Sequence, residues 1–242
     1  MGTITMIAAG KDGVGKSTAS VFIGAALAES GESVLLIELD SGQRSIDVIS
    51  GVYGNLIYDI NDVLSGRIES KKAIVQSPLQ ENLCVLSAPS TVSKLPVENF
   101  VKLTTALSEG YDHVLIDVAA SPGAVYSAAA CAMRAIIVAT ADPVGVRDAK
   151  NLNDRLEEFS IANIRLIVSR LVPNRIYAGI VPNLDYVIDS IGAQLIGIIP
   201  ETTDIALASA GIAVLPNTSL SADVFRRISE RMRGNDLPLL VK

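Results

Sequence analysis

Short, fully apolar runs alternate with helical patterns along this chain, and that alternation restricts the fold more than any other feature. The runs lack the every-second-residue polarity of a strand that faces water, so each is typical of a strand covered on both faces. Strands of this kind joined by helices form right-handed crossovers. The sequence therefore predicts an α/β fold, a single doubly wound, mostly parallel sheet with helices on both faces. The predicted strands are Thr3–Ala8, Val34–Leu39, Leu83–Leu86, His113–Val118, Ala135–Ala139, Ile164–Val168 and Ala193–Ile198, with a short edge strand at Ala213–Leu215.

Helix signals fall between these runs. Gly31 suits the residue after a helix end, Pro96 and Pro143 suit first helical turns, and Ser219 or Ser221 suits an N-cap. The predicted helices are Lys16–Glu29, Val97–Leu107, Val144–Phe159 and Ser221–Met232. No repeat or low-complexity linker interrupts the 242 residues, so we expect one domain over residues 1–242. Ligands of such sheets bind at the carboxyl ends of the strands.

Charge and cysteine content exclude several classes of protein. The net charge of −6 gives no global attraction to nucleic acid, so a nucleic-acid partner is not expected. Cys84 and Cys131 are the only cysteines and lie in no C-x-x-C pattern, which predicts a reducing compartment without disulfide or zinc site. The apolar N-terminus leads directly into a glycine-rich loop, so it is interpreted as a strand of a cytoplasmic protein and not as a signal peptide.

The segment from Gly10 to Thr18 reads GKDGVGKST and fits the phosphate-loop pattern G-x-x-x-x-G-K-[ST]. A chance glycine-rich turn would not also lie between a predicted strand and a predicted helix. Glycines turn backbone N–H groups inward, and the helix start adds its positive dipole end. The loop is therefore predicted to cradle the phosphates of ATP. Lys16 would reach the β- and γ-phosphates, and the Ser17 hydroxyl would bind Mg²⁺. The predicted nucleotide-binding residues of the loop are Gly13, Val14, Gly15, Lys16, Ser17 and Thr18.

An additional lysine, Lys11, follows the first glycine of this loop. In this it resembles the MinD/ParA family of ATPases, whose deviant loop reads K-G-G-V-G-K-[ST], and within that family it is most similar to the MinD branch. The resemblance implies a slow, partner-stimulated ATPase that forms an ATP-dependent homodimer. Lys11 would then contact the phosphates held by the other subunit, although the alternative is an ordinary solvated lysine. Asp12 stands where the family has glycine, and a carboxylate beside a triphosphate is unfavourable.

Acidic residues close two of the predicted strands. Glu38 and Asp40 end VLLIELD where the family has Asp-x-Asp, and Asp117 ends HVLID. The resemblance implies that Asp40 orients the attacking water and belongs to the metal site, and that Asp117 holds Mg²⁺ through water. With Lys11 and Lys16, Asp40 completes the predicted catalytic set. The alternative for the first pair is two acids that face solvent at a strand end.

The resemblance extends over nearly the whole chain. The segment IRLIVSRLVPNR occupies the family's adenine-contacting position and makes Arg170 a candidate, for which a surface salt bridge is the alternative. The segment GIIPETTDIALASAGIAVL resembles the loop that closes over the adenine, which implies that Pro200 and Glu201 lie near the base.

The resemblance implies an ATP-dependent dimerising switch that positions a partner from the cell-division, pilus, flagellar or segregation machinery. Two alternatives stay open: a nucleotide-bound scaffold that does not hydrolyse ATP, and a small-molecule enzyme of dethiobiotin-synthetase type. The basic segment VFRRISERMR is interpreted as a domain helix, and only NDLPLLVK follows it after Gly234. Direct membrane binding is therefore not expected, and recruitment would go through a partner.

Overall fold

A computed structural model describes residues 1–40, 44–89, 96–172, 176, 179 and 182–240. Within these residues the strands are β1 (Thr3–Ala8), β2 (Val34–Glu38), β3 (Val75–Gln76), β4 (Leu83–Leu86), β5 (His113–Asp117), β6 (Arg134–Thr140), β7 (Ile164–Leu171) and β8 (Gln194–Pro200). The helices include α1 (Lys16–Glu29), α2 (Ser45–Ile49), α3 (Ile60–Leu64), α4 (Ser70–Ala73), α5 (Val97–Leu107), α6 (Pro122–Ala129), α7 (Pro143–Glu158), α8 (Leu184–Ile191), α9 (Thr203–Ser209) and α10 (Leu220–Met232).

The eight strands form one sheet in the order β3-β4-β2-β5-β1-β6-β7-β8. The pairings are parallel except that of β3 with β4, which is antiparallel. The doubly wound, mostly parallel sheet is therefore confirmed. Because β1 lies between β5 and β6, the loop that follows β1 opens at the point where the strand order reverses, which is where such sheets bind ligands.

Two predictions about strands need correction. The edge strand predicted at Ala213–Leu215 is wrong: within the described residues this segment pairs with no strand. Val214 is exposed, whereas Leu215 is buried in one of the apolar layers. The strand predicted to end at Val168 continues to Leu171, because the polar residues Ser169 and Arg170 interrupt the apolar pattern without ending the pairing. The two-residue β3 is too short to give a sequence signal.

The core consists of two apolar layers, one on each face of the sheet. Neighbouring strand residues alternate between them, as with Met6 in one layer and Ile7 in the other. Residues of α5, α6, α7 and α8 cover one face, and residues of α1, α2, α9 and α10 cover the other. The rings of Phe22 and Phe225 meet between α1 and α10 with centroids 5.2 Å apart. None of the helices in the described part of the chain is long and apolar enough to cross a membrane.

Candidate nucleotide-binding site

The loop between β1 and α1 takes the conformation that its glycines allow. Gly13 and Gly15 have φ angles of +75° and +90°, a left-handed region that disfavours side chains. Gly10 is required for a different reason, since a Cβ atom there would lie 2.3 Å from the carbonyl oxygen of Asp148 in α7. The loop is thus shaped by its own glycines and supported from outside by the backbone of α7.

Asp117 is the centre of a buried polar cluster beneath this loop. The parallel register pairs it with Ile7 of β1, which brings it to the carboxyl edge of the sheet beside α1. Lys16 Nζ lies 2.9 Å from Asp117 Oδ1, and the hydroxyl groups of Ser17 and Ser20 donate hydrogen bonds to the carboxylate at 2.7 and 3.0 Å. The carboxylate of Asp117 is fully buried. The structure therefore brings together three residues that the sequence singled out, and adds Ser20.

Asp40 joins the same cluster from β2. Its Oδ2 lies 3.9 Å from Lys16 Nζ, and the residue is 8% exposed. Glu38 is completely buried and accepts a hydrogen bond from the backbone N–H of Ile46 at 3.0 Å. Burial is the main cause that raises the pKa of Glu38 to about 7; the charges of Asp117 and Asp47 act in the same direction, and backbone hydrogen bonds oppose the shift. Neither acid faces solvent, so that alternative for the strand end is wrong.

Lys11 lies at the rim of the loop and is paired within its own chain. Its ammonium group is 3.2 Å from both carboxylate oxygens of Asp142, the N-cap residue of α7. Asp142 also accepts hydrogen bonds from the Thr140 hydroxyl and from the N–H of Gly145. Burial acts to raise the pKa of Asp142, but these hydrogen bonds and the Lys11 charge outweigh it and lower the pKa to about 2. Lys11 is therefore held in a partly exposed ion pair within its own chain.

A cavity of about 360 Å³ opens beside Gly15 and Thr18. Arg170, Pro200 and Glu201 line it, so the residues predicted to contact adenine do converge next to the phosphate loop. Arg170 has a φ angle of +52° and lies where the β7–β8 pairing is irregular. Among the described residues it forms no ion pair, which gives the salt-bridge alternative no support. Residues 173–175 of the predicted adenine segment lie outside the described part of the chain.

Comparison with known proteins places this arrangement in a family. The model of the CobQ/CobB/MinD/ParA nucleotide binding domain matches residues 5–213. The chain belongs to this family. It is similar to the septum site-determining protein MinD of Synechocystis sp., with 34% identity over 246 residues that cover 99% of this chain and 92% of the relative.

Solved structures agree with this membership of the MinD/ParA family. The MinC:MinD cell division protein complex of Aquifex aeolicus matches with a TM-score of 0.91 and 30% identity over 98% of each chain. MinD of Pyrococcus horikoshii in complex with Mg-ADP matches with a TM-score of 0.85 over 96% of each chain; at 24% identity this shows the fold alone. This chain is an ATPase of the MinD/ParA type, built on a nucleotide-binding domain.

The residues around the loop fit the phosphates of a nucleotide and a magnesium ion. Lys16 Nζ is buried and, within the described residues, donates no hydrogen bond of ordinary geometry, so its N–H groups are available to phosphate oxygens. Ser17 and Asp117 offer one hydroxyl and one carboxylate side by side, the oxygen ligands that Mg²⁺ takes alongside those of a nucleotide. No group of three or more His, Cys, Asp or Glu side chains in the described residues forms a self-sufficient metal site.

Sequence reasoning missed several residues that shape the site. Ser20 lies four residues after Lys16 on the same helix face, a spacing that is a usable signal. Asp142 precedes a proline at a helix start, which marks an N-cap but says nothing about Lys11. The Ser169 hydroxyl donates a hydrogen bond to the carbonyl of Val14. The Thr18 hydroxyl donates one to the Ser209 hydroxyl at 3.0 Å. Both contacts come from distant segments and leave no local pattern.

Proposed function

We propose that this ATPase is a dimerising switch: two subunits enclose two ATP molecules, and the dimer positions a protein of the cell-division machinery. The observation that carries the proposal is the unequal placement of two loop lysines. The Lys16 side chain is 7% exposed and lies inside the site, against Asp117. The Lys11 side chain is 31% exposed and points instead to Asp142 at the rim, where a second subunit would meet it.

Each residue of the loop has a part in this proposal. Backbone N–H groups of Gly13, Val14 and Gly15 would hold the phosphates, helped by the dipole of α1. Lys16 would give its ammonium hydrogen bonds to the β- and γ-phosphates, and Ser17 and Thr18 would complete the cradle. Bound Mg²⁺ would neutralise part of the phosphate charge. Its protein ligands would be the hydroxyl of Ser17 and, through water and supported by Asp40, the carboxylate of Asp117.

Asp40 is the proposed catalytic carboxylate for hydrolysis. It lies after the carboxyl end of β2, 3.9 Å from Lys16 Nζ, and its side chain keeps 12% of its surface exposed, where a water molecule would contact it. A carboxylate in that position orients an attacking water and accepts its proton. Lys11, once turned away from Asp142, would place a second positive charge on the phosphates of the opposite subunit.

The adenine would lie in the cavity beside Gly15. Pro200 and neighbouring apolar residues supply a face for the base, and Arg170 and Glu201 supply polar groups at the edge. Nucleotide binding would thereby connect the phosphate loop to β8 and α9. Segments ordered by the γ-phosphate are a common basis for switching.

A protein partner of the ATP-bound dimer is part of the proposal. The relative from Aquifex aeolicus was solved as a complex with MinC, and the Synechocystis relative is named for its role in septum placement. By analogy, a cell-division protein would bind the dimer here, stimulate hydrolysis and bring the switch to the membrane.

Dimerisation is tested by measuring mass in solution with ATP and Mg²⁺ against ADP. An Asp40→Ala variant should hydrolyse ATP at least tenfold more slowly and accumulate as a dimer only in ATP. Adding Lys11→Ala should return it to a monomer. Adding Lys102→Ala, an exposed lysine of α5, should leave the dimer intact. A monomeric Asp40→Ala protein in ATP contradicts the proposal.

Phosphate release by the wild-type chain separates the switch from the two alternatives, a scaffold that does not hydrolyse ATP and a small-molecule enzyme. Steady release with ATP and Mg²⁺ alone agrees with the switch. Release that is no faster than in the Asp40→Ala variant, with or without a partner, favours the scaffold. Release that requires an added metabolite favours the small-molecule enzyme.

A further inference from the structure

Four arginine side chains converge on a cavity of about 160 Å³ at the edge of the sheet opposite the phosphate loop. Arg134 begins β6 and Arg165 lies at the beginning of β7, so both stand at the amino ends of neighbouring parallel strands. Arg231 lies in the last turn of α10 and Arg233 follows as its C-cap residue. Thr5 and Asn163 complete the polar lining.

Nearby carboxylates neutralise this cluster only in part. Arg231 Nη1 is 3.6 Å from Asp236, whose side chain is fully exposed, and that pair is therefore weak. Arg233 contacts Glu230 and lies 3.8 Å from Glu32, which also contacts His113. These ion pairs involve two of the four guanidinium groups.

Arg134 and Arg165 have no carboxylate partner among the described residues. Arg134 donates to the carbonyl of Met232 at 2.8 Å, and Arg165 donates to its neighbour Ile164 at 3.3 Å. Carbonyl groups satisfy donors but leave the positive charge uncompensated. Guanidinium groups stay charged at any physiological pH, so proximity alone makes this cluster repulsive.

Three buried donors on residues that line the cavity lack acceptors within the described residues, against one buried acceptor there, Asn163 Oδ1, that lacks a donor. The Nε atoms of Arg231 and Arg233 are buried and, within the described part of the chain, have no hydrogen-bond partner. The hydroxyl of Thr5, a residue with no exposed surface, is also unpartnered there. Unpaired donors in a buried position are unfavourable, and an anion with several acceptor oxygens would satisfy them together.

We propose that this cavity is a second anion site, which takes a compact phosphate-type oxyanion as inorganic phosphate or as a phosphomonoester head. Guanidinium groups match tetrahedral oxyanions through paired N–H···O bonds. The volume of about 160 Å³ is less than half that of the cavity beside Gly15, which favours a compact anion over a whole nucleotide. Because the site lies at the other edge of the sheet, it does not depend on the dimerisation proposed above.

The test uses the full chain saturated with Mg-ADP, so that the phosphate loop is already occupied. Inorganic phosphate is then titrated calorimetrically against potassium chloride at matched ionic strength. The wild-type chain should bind phosphate saturably. Arg165→Gln should weaken that binding at least tenfold, whereas Arg67→Gln, whose side chain is 72% exposed on a distant surface, should bind as the wild type does.

Arg165→Gln is expected to fold, because among the described residues this side chain bonds only its neighbour's carbonyl group. Circular dichroism checks this, and Arg165→Lys serves as the second variant, which keeps the charge but loses the paired donors and should also bind more weakly.

A second arm replaces free phosphate with phosphatidylcholine vesicles that contain phosphatidic acid, followed by sedimentation. Arg165-dependent binding to free phosphate assigns a soluble ligand, and Arg165-dependent binding to the vesicles alone assigns a lipid headgroup. Either result supports the site. Absence of saturable binding in both arms, or equal binding by Arg165→Gln, overturns it.

Discussion

The buried pair of Lys16 and Asp117 makes a quantitative prediction about stability in the absence of nucleotide. The two side chains are 7% and 0% exposed, so neither charge is compensated by water when the other is removed. Removing one partner of a buried ion pair typically costs about 3–5 kcal/mol of unfolding free energy. In Lys16→Met, the carboxylate of Asp117 keeps its hydrogen bonds from Ser17 and Ser20. We therefore expect a loss near the lower limit, about 3 kcal/mol.

The pair is tested by a double-mutant cycle in denaturant, followed by far-UV circular dichroism in EDTA without nucleotide. Asp117→Asn removes the charge that Lys16→Met leaves unpaired, so the double variant should be little less stable than Lys16→Met alone. The coupling energy should be about 2 kcal/mol, within the range for residues in contact. Lys102→Met, at an exposed position, should change stability by about 0.5 kcal/mol or less. Additive losses, or a Lys16→Met variant as stable as the control, would refute the reasoning.

Two further predictions concern packing and pH. A Cβ atom on Gly197 would lie 2.2 Å from Ile228 of α10, so Gly197→Ala should lower the unfolding free energy by about 1–3 kcal/mol, as overpacking does. Gly110→Ala, where the nearest atom is 3.7 Å away, is the matched control. An equal loss of unfolding free energy in the two variants would contradict the close packing of Gly197 against Ile228. The folded-state pKa of Asp142 is about 2, below its ordinary value of 3.8, because the hydrogen bonds from Thr140 and Gly145 and the pairing with Lys11 favour the carboxylate. These contacts therefore stabilise the fold above pH 4, and that stabilisation is lost as the pH falls towards 2. Midpoints of thermal unfolding between pH 5 and pH 2 should therefore fall less steeply for Asp142→Asn than for the wild-type chain; parallel curves would refute this.

Much of the fold was predictable because its signals are local. The strand–loop–helix order around Gly13 and Gly15 follows from residues that are neighbours in the chain. The apolar runs correctly predict most of the sheet, since a strand covered on both faces must be apolar throughout. The prediction fails at Val214, where apolar character reflects neither a strand nor burial of that side chain.

The candidate site was predictable to the same extent and for the same reason. Lys16, Ser17 and the acids at the strand ends follow from the motif and from the rule that parallel strands end at one edge. The position of Lys11 does not, since the carboxylate that holds it is 131 residues away in the chain. The burial of Glu38 does not follow from the sequence either, because it depends on α2, whose Ile46 N–H bonds this carboxylate.

The sequence by itself determined that this chain binds phosphates in a doubly wound sheet and that it belongs with the MinD/ParA ATPases. The tertiary structure alone decided which charges meet. It placed Asp117 against Lys16 and Asp142 against Lys11, and it gathered Arg134, Arg165 and the arginines of α10 around one cavity. The physical reason is that backbone conformation depends on adjacent residues, whereas electrostatic partners are set by strand register and helix packing between distant segments.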